Sequence, residues 1–283
     1  MQYRRINIQK TSGGSVMKIK KVAGILLVGT MMISMAACGG KEEGAKSEKL
    51  IVGTEAGFAP YEYMKGNEVV GIDMDIAKAI ADEMGKELEI KNMDFDGALA
   101  AVQSGKVDFV AAGVSISPER EEAMDFSNEY VNSTEVIVVN KENPAVTPAG
   151  EELAGSDLDG KVVAVQQGNI ADIWVSNKDN CNPKEVKRYT KFAQAAEDLK
   201  NGKIDCIVMD QYPAEELVAA NDTLTTLDGT LFEDKYAIAV KKGNKELLDE
   251  INKVIDKLVE EGKIEEFTVI TYRVNKQFRR QRQ

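Results

Sequence analysis

Gln103-Ser104-Gly105-Lys106-Val107-Asp108-Phe109-Val110 and Lys200-Asn201-Gly202-Lys203-Ile204-Asp205-Cys206-Ile207 are two copies of one pattern. Each closes a helix on a Gly, passes a Lys, and enters an apolar strand with Asp at its second position. The flanks repeat too. Before the first copy, Leu50 to Gly53 reads as a strand. Asp73, as N-cap, opens a helix with Ile72, Ile76, Ala79, Ile80 and Met84 on one face and Gly85 as its stop. Leu88 to Ile90 is a second strand, Asp96 caps a helix through Val102, and Val107 to Ala112 is a third strand. Before the second copy, Lys161 to Val165 reads as a strand, Ile170 to Val175 as a helix and Glu185 to Tyr189 as a strand. Thr190 then caps a helix through Leu199. Strands alternating with helices predict an α/β fold with mainly parallel sheets.

Between the two units lie Glu135 to Val139 and a Pro-containing stretch, Asn143 to Pro148. After them come a strand, Tyr236 to Val240, and an amphipathic helix, Glu246 to Gly262. These last two have no partner nearby, so the simplest arrangement returns them to the first unit. The reading is then two lobes, 50–131 with 236–270 and 135–231. The connections at 132–134 and 232–235 act as a hinge. In open parallel sheets, ligands sit beyond the carboxyl ends of the strands, so two facing lobes make a cleft.

Composition narrows the function. The chain has 283 residues, 43 % of them hydrophobic, and a net charge of −11. Residues 1–37 hold six Lys/Arg and 271–283 hold five, with no acid in either. That leaves 25 basic (36 less 11) against 47 acidic groups between them. So acidic a body does not suit nucleic acid. There is no His, which removes the commonest general base and metal ligand. No cluster has metal-ligand spacing, and no cofactor is expected. Cys206 lies in an apolar run and reads as a buried core thiol, with pairing to Cys181 the alternative.

The N-terminus reads as an export signal. Lys18, Lys20 and Lys21 precede an apolar run from Val22 to Ile33, then Met35-Ala36-Ala37-Cys38. The run is shorter than the roughly 20 residues that span a bilayer. Residues 1–37 are therefore expected to be a signal peptide, with Met17 the true start, and 38–49 a polar, Gly-containing tether. The basic stretch 271–283 reads as a disordered tail.

Several residues near predicted strand ends are equipped to hold a ligand. Ser117-Pro118 suits the start of a helix, placing Arg120 in its first turn. A guanidinium beside Gly113 and Ser115 could grip a carboxylate bidentately, or pair with Glu121 on the surface. Gln166-Gln167-Gly168-Asn169-Ile170 joins a strand to a helix, where free N–H groups attract anions; no phosphate-loop pattern accompanies it. Asp210 ends the second-copy strand. Its carboxylate could receive an ammonium group, or cap the helix near Pro213. Arg120 and Asp210 fall at equivalent ends of the two copies, as a free α-amino acid requires.

Residues 50 to about 270 resemble the polar amino-acid-binding proteins of ABC importers. The strings are Gly57-Phe58-Ala59-Pro60-Tyr61-Glu62-Tyr63, Val70-Gly71-Ile72-Asp73-Met74-Asp75-Ile76-Ala77, Asp94-Phe95-Asp96-Gly97, Ser115-Ile116-Ser117-Pro118-Glu119-Arg120, Met124-Asp125-Phe126-Ser127 and Asp159-Gly160-Lys161-Val162-Val163-Ala164-Val165. The resemblance implies a type II periplasmic-binding-protein-like fold and an extracytoplasmic receptor that binds an amino acid and delivers it to a permease. It implies that Arg120 holds the ligand carboxylate and Asp210 the amino group. Gly113 and Ser115 would contact both groups, Phe58 and Phe95 would flank the side chain, and Glu55 would read it. Glu55 favours a cationic or amide side chain. Ile170 departs from the Gly or Thr of many relatives, which removes a hydroxyl contact. Ala-Ala-Cys38 resembles a lipobox, implying a lipid on Cys38, and the protein is expected to be a monomer. An enzyme of the same fold, resting on carboxylates such as Glu55, and a sensory domain are the competing readings.

Overall fold

A computed structural model describes residues 48–268. The expectations for the signal peptide, Cys38, most of the tether and the basic tail fall outside this range.

The repeated pattern folds twice in the same way. Asp108 and Asp205 each turn back onto the first strand of their own unit. The Asp108 carboxylate accepts the Ile51 N–H at 2.7 Å while its own N–H reaches Ile51 O at 2.8 Å. Asp205 does the same with Val162, at 2.7 and 2.9 Å. Each preceding helix, Phe95–Ser104 or Phe192–Lys200, ends in a matched pair of turn bonds. These are Gly105 N–H to Val102 O with Lys106 N–H to Ala101 O, and Gly202 N–H to Leu199 O with Lys203 N–H to Asp198 O.

Two sheets result. In the first, Glu87–Asn92, Lys49–Thr54 and Phe109–Val110 run parallel, followed by the antiparallel strands Ala239–Lys241 and Met124–Phe126. In the second, Glu185–Tyr189, Val162–Gln166 and Cys206–Asp210 run parallel. The long strand Val131–Asn140 and then Leu224–Thr226 complete it in antiparallel sense. Val131–Asn140 also pairs with Phe232–Tyr236, in a register from Phe232–Glu135 to Tyr236–Val131. The two passages of chain between the sheets therefore lie side by side as one ribbon. The amphipathic helix Lys245–Glu260 buries Leu247, Ile251, Val254, Ile255 and Leu258 and packs against the helix Ile72–Glu83 of the first unit. Cys181 and Cys206 are both free and buried.

Three helix starts differ from expectation, one being Phe192–Lys200, which opens behind Lys191, so that Thr190 is not its cap. The first helix spans Ile72–Glu83 with Gly71 before it, so Asp73 is not its cap. Gly71 has φ +132°, and a Cβ there would lie 2.2 Å from Tyr61 O, so only glycine fits. The second helix begins at Phe95 behind Asp94, placing Asp96 in its first turn. The return segment forms two strands, Phe232–Tyr236 and Ala239–Lys241, where a single strand from Tyr236 to Val240 was expected.

Candidate functional site

Arg120 lies in the short helix Pro118–Ala123, where Pro118 takes the first position and Ser117 Oγ accepts the Arg120 N–H. That start turns the side chain inward, leaving it 6 % exposed. The guanidinium donates to Ser115 O and, across the cleft, to Gly168 O at 2.8 Å, and lies over the Phe95 ring at 5.5 Å. Among the described residues it forms no ion pair, so the surface pairing with Glu121 does not occur. Burial brings its pKa down to about 10, against the pull of Asp234, Asp210 and Glu119; it remains a cation at neutral pH.

Gly113 stands at φ +55°, and a Cβ there would lie 2.6 Å from Phe58 Cε1. Its N–H goes to Asp73 Oδ2 at 2.8 Å, and Tyr130 Oη donates to the other oxygen at 2.9 Å. Asp73 is fully buried because it serves these two donors, and desolvation pushes it up to about 6. Ser115 Oγ donates to Asp234 Oδ2 at 2.5 Å, tying this strand end to the returning strand. Phe58 and Phe95 are both buried. Phe58 stacks on Phe192 of the other unit at 6.2 Å, so it lines a surface where the two units meet.

The turn 166–170 faces the first unit directly. Gln166 Nε2 donates to Glu55 Oε2 at 3.1 Å, and Gln167 Nε2 bonds Asp96 Oδ2. The expectation of free N–H groups in this turn is only partly met. Gly168 N–H is taken by Asp172 Oδ2 at 3.0 Å and Asn169 N–H by Gln166 O at 3.2 Å. Asn169 Oδ1 caps the helix Ile170–Ser176 through Asp172 N–H, while its buried Nδ2 has no partner among the described residues. Ile170 heads that helix. Glu55, 2 % exposed, has Lys191 Nζ 3.6 Å from Oε1. Desolvation raises its pKa, with Gln166 and Lys191 opposing. Lys191, which no sequence pattern singles out, reaches Glu55 from the other unit.

Asp210 closes the strand Cys206–Asp210 and is 3 % exposed. It does precede the helix Gln211–Ala219, but its carboxylate makes no capping bond. The carboxylate instead accepts from Ser133 Oγ at 3.2 Å and from Tyr236 Oη. Burial, helped by Asp234, pushes Asp210 up to about 6. Glu135 and Asp234 complete a group with Asp210 in which one oxygen of each lies within 4.8 Å of the others. Neither was expected. The one signal was an acid, Glu135, beside the apolar run Val136 to Val139.

Two α/β units joined by paired crossover strands, with a buried cation and buried carboxylates facing across their junction, define a two-lobed solute-binding protein. Residues 50–269 match the bacterial extracellular solute-binding proteins, family 3, and the chain belongs to that family. It is 30 % identical over 255 residues to the arginine-binding extracellular protein ArtP of Bacillus subtilis, covering 87 % of this chain and 96 % of ArtP. Among solved structures, the amino acid ABC transporter substrate-binding protein AbpA from Streptococcus pneumoniae bound to L-arginine superposes with TM-score 0.72. It is 34 % identical, covering 80 % of this chain and 95 % of AbpA. An ancestral arginine-binding protein bound to glutamine gives TM-score 0.70 and 38 % identity, covering 78 % and 96 %.

Proposed function

We propose that this protein binds a free amino acid between its lobes and delivers it to the membrane subunits of an ABC importer. The observation that carries this reading is a pair of mismatched charges. Among the described residues, buried Arg120 hydrogen-bonds only to carbonyls and buried Asp210 only to hydroxyls. An isolated buried charge is costly, and a zwitterion supplies the missing opposite charge to both. In this reading Arg120 clamps the α-carboxylate, assisted by Ser115 and by Asn169 and Ile170 across the cleft. Asp210 and the Gly113 carbonyl receive the α-ammonium, and Phe58 and Phe95 flank the side chain. A ligand touching both lobes stabilises the closed form selectively, with the ribbon at 131–140 and 232–236 as the hinge.

Glu55 and Gln166 set the side-chain preference. A guanidinium or ammonium can replace Lys191 at Glu55, an amide can donate to it, and an acidic side chain is repelled. Relatives solved with L-arginine and with glutamine bound agree with a cationic or amide ligand. The protein is a receptor and not a catalyst, acting as a monomer outside the cytoplasm, exported through residues 1–37 and held by a lipid on Cys38. Metabolic labelling with a fatty acid, lost in Cys38→Ala, tests the anchor.

A thermal-shift screen of the twenty amino acids, on protein beginning after Cys38, tests the receptor reading. A ligand at 100 times its Kd stabilises by about 2.7 kcal/mol. Arginine and glutamine are expected to shift the transition and glutamate to leave it unchanged. Recovery of the added amino acid unaltered separates a receptor from an enzyme.

A further inference from the structure

The carboxylate group beside the proposed amino-group subsite holds more negative charge than the ligand can balance. Glu135 is 0 % exposed, and among the described residues neither of its buried carboxylate oxygens has a hydrogen-bond partner. Its strand pairing sets it directly opposite Asp210 on one side and Phe232 on the other. Asp234, half-buried, closes the group, with one oxygen of each within 4.8 Å.

The surroundings offer little compensation. The helix Pro118–Ala123 contributes Arg120, whose guanidinium bonds Ser115 O and Gly168 O. The returning strand contributes the Tyr236 hydroxyl, and the outgoing strand contributes Ser133. Lys235, next along the strand, points away to Glu129 at 2.6 Å. From the first lobe come Tyr61 and Glu62, and Glu62 is a further buried acid that bears on Asp210. Three carboxylates at this spacing cannot all stay ionised in a low-dielectric interior. A proton held between Glu135 and Asp210 satisfies both, and the directions agree: burial raises Glu135 well above the usual carboxylate range and Asp210 to about 6. A groove of about 630 Å³ lined by Ser133 and Asp234 gives the group an aqueous approach from the hinge side.

We infer that Glu135 is part of the amino-group subsite: it shares a proton with Asp210 in the free protein, and the pair releases that proton when the ligand's ammonium enters. The inference rests on the amino-acid reading above. The O–H bond of the pair breaks, the proton passes to water, and the ammonium N–H groups take over the freed oxygens. Binding therefore weakens on acidification, by up to about tenfold per pH unit where the pair holds its proton.

Calorimetric titration of L-glutamine and L-arginine at pH 6, in two buffers of different ionisation enthalpy, counts the protons released. The wild type is expected to release about one proton per ligand, less at higher pH. Glu135→Gln, with folding checked by its thermal transition, is expected to bind with release cut to about half a proton, the share that Asp210 alone keeps with its pKa at about 6. Asp234→Asn is expected to keep the release and move it to lower pH, because a neighbouring negative charge is gone. Tight wild-type binding with no proton released, or equal release from Glu135→Gln, overturns the inference alone. The same holds if Asp234→Asn lowers release more than Glu135→Gln does. No binding heat in any buffer for either amino acid overturns the receptor reading as well.

Discussion

The two repeated units share a scaffold and differ at its tip. Asp108 and Asp205 brace their sheets through the same reciprocal bonds at nearly the same distances. Five residues later the copies part. The first reaches Gly113, a bare backbone at positive φ, and the second reaches Asp210, a buried carboxylate. The cation facing Asp210 then comes from the helix that follows the first strand. The frame repeats, and unlike strand ends give the junction an anionic and a cationic half. That division suits a ligand bearing both charges. It also means that tip and frame substitutions should fail in different ways.

The sharpest separation is at the charges. Arg120→Ala should lower amino-acid affinity by about 2–5 kcal/mol, the range for truncating one side of a buried charge pair. Its thermal transition without ligand should move far less. Calorimetry with arginine, beside unfolding of the free protein, checks both. Unchanged affinity would remove Arg120 from the site and with it the contrast between the tips.

Next comes Gly113→Ala. The new Cβ meets Phe58 and sits at φ +55°, so about 1–3 kcal/mol of stability should be lost. Displacing Phe58 should weaken binding as well. Denaturant unfolding and ligand titration measure the two losses.

Asp108→Ala and Asp205→Ala test the frame. Each removes one charge-assisted bond to a strand N–H, worth about 1.5–3 kcal/mol. The two losses should agree within about 0.5 kcal/mol, and neither should change affinity by more than a few-fold. Unequal losses would show that the copies are not mechanically equivalent.

What could be read beforehand follows the same line. The frame was legible because a Gly stop, a Lys and an apolar strand are local signals. The places of Arg120 and Asp210 could be read because one lies just beyond such a strand and the other ends one. Those of Glu135, Asp234 and Lys191 could not. Their roles depend on strand pairing and lobe contacts between residues far apart in sequence, and no local pattern marks an acid as facing another acid. Asp73 and Asp96 misled for the opposite reason. Asp is a favoured helix cap, but Asp73 is committed to Gly113 and Tyr130. Asp96 bonds the neighbouring Gly97 N–H and reaches Gln167 across the cleft.

The smallest effect expected concerns what the two tips have in common. Asp73 behind Gly113 and Asp210 itself are both pushed by burial to about 6. A carboxyl whose folded pKa lies above its unfolded value holds more protons folded than unfolded. Its contribution is full below the unfolded value near 3.8 and is lost as pH rises through about 6. Moving the free protein from pH 7 to pH 6 should therefore stabilise it by about 0.4 kcal/mol per group. For the pair that is a rise of roughly 2 °C in Tm. Asp73→Asn and Asp210→Asn should each remove about half of that rise. The ligand-bound protein should behave differently at one tip only. An ammonium at Asp210 holds it ionised and cancels its share, while Asp73, turned inward behind the strand, keeps its own. Equal pH dependence with and without saturating arginine would place the ligand's amino group somewhere other than Asp210.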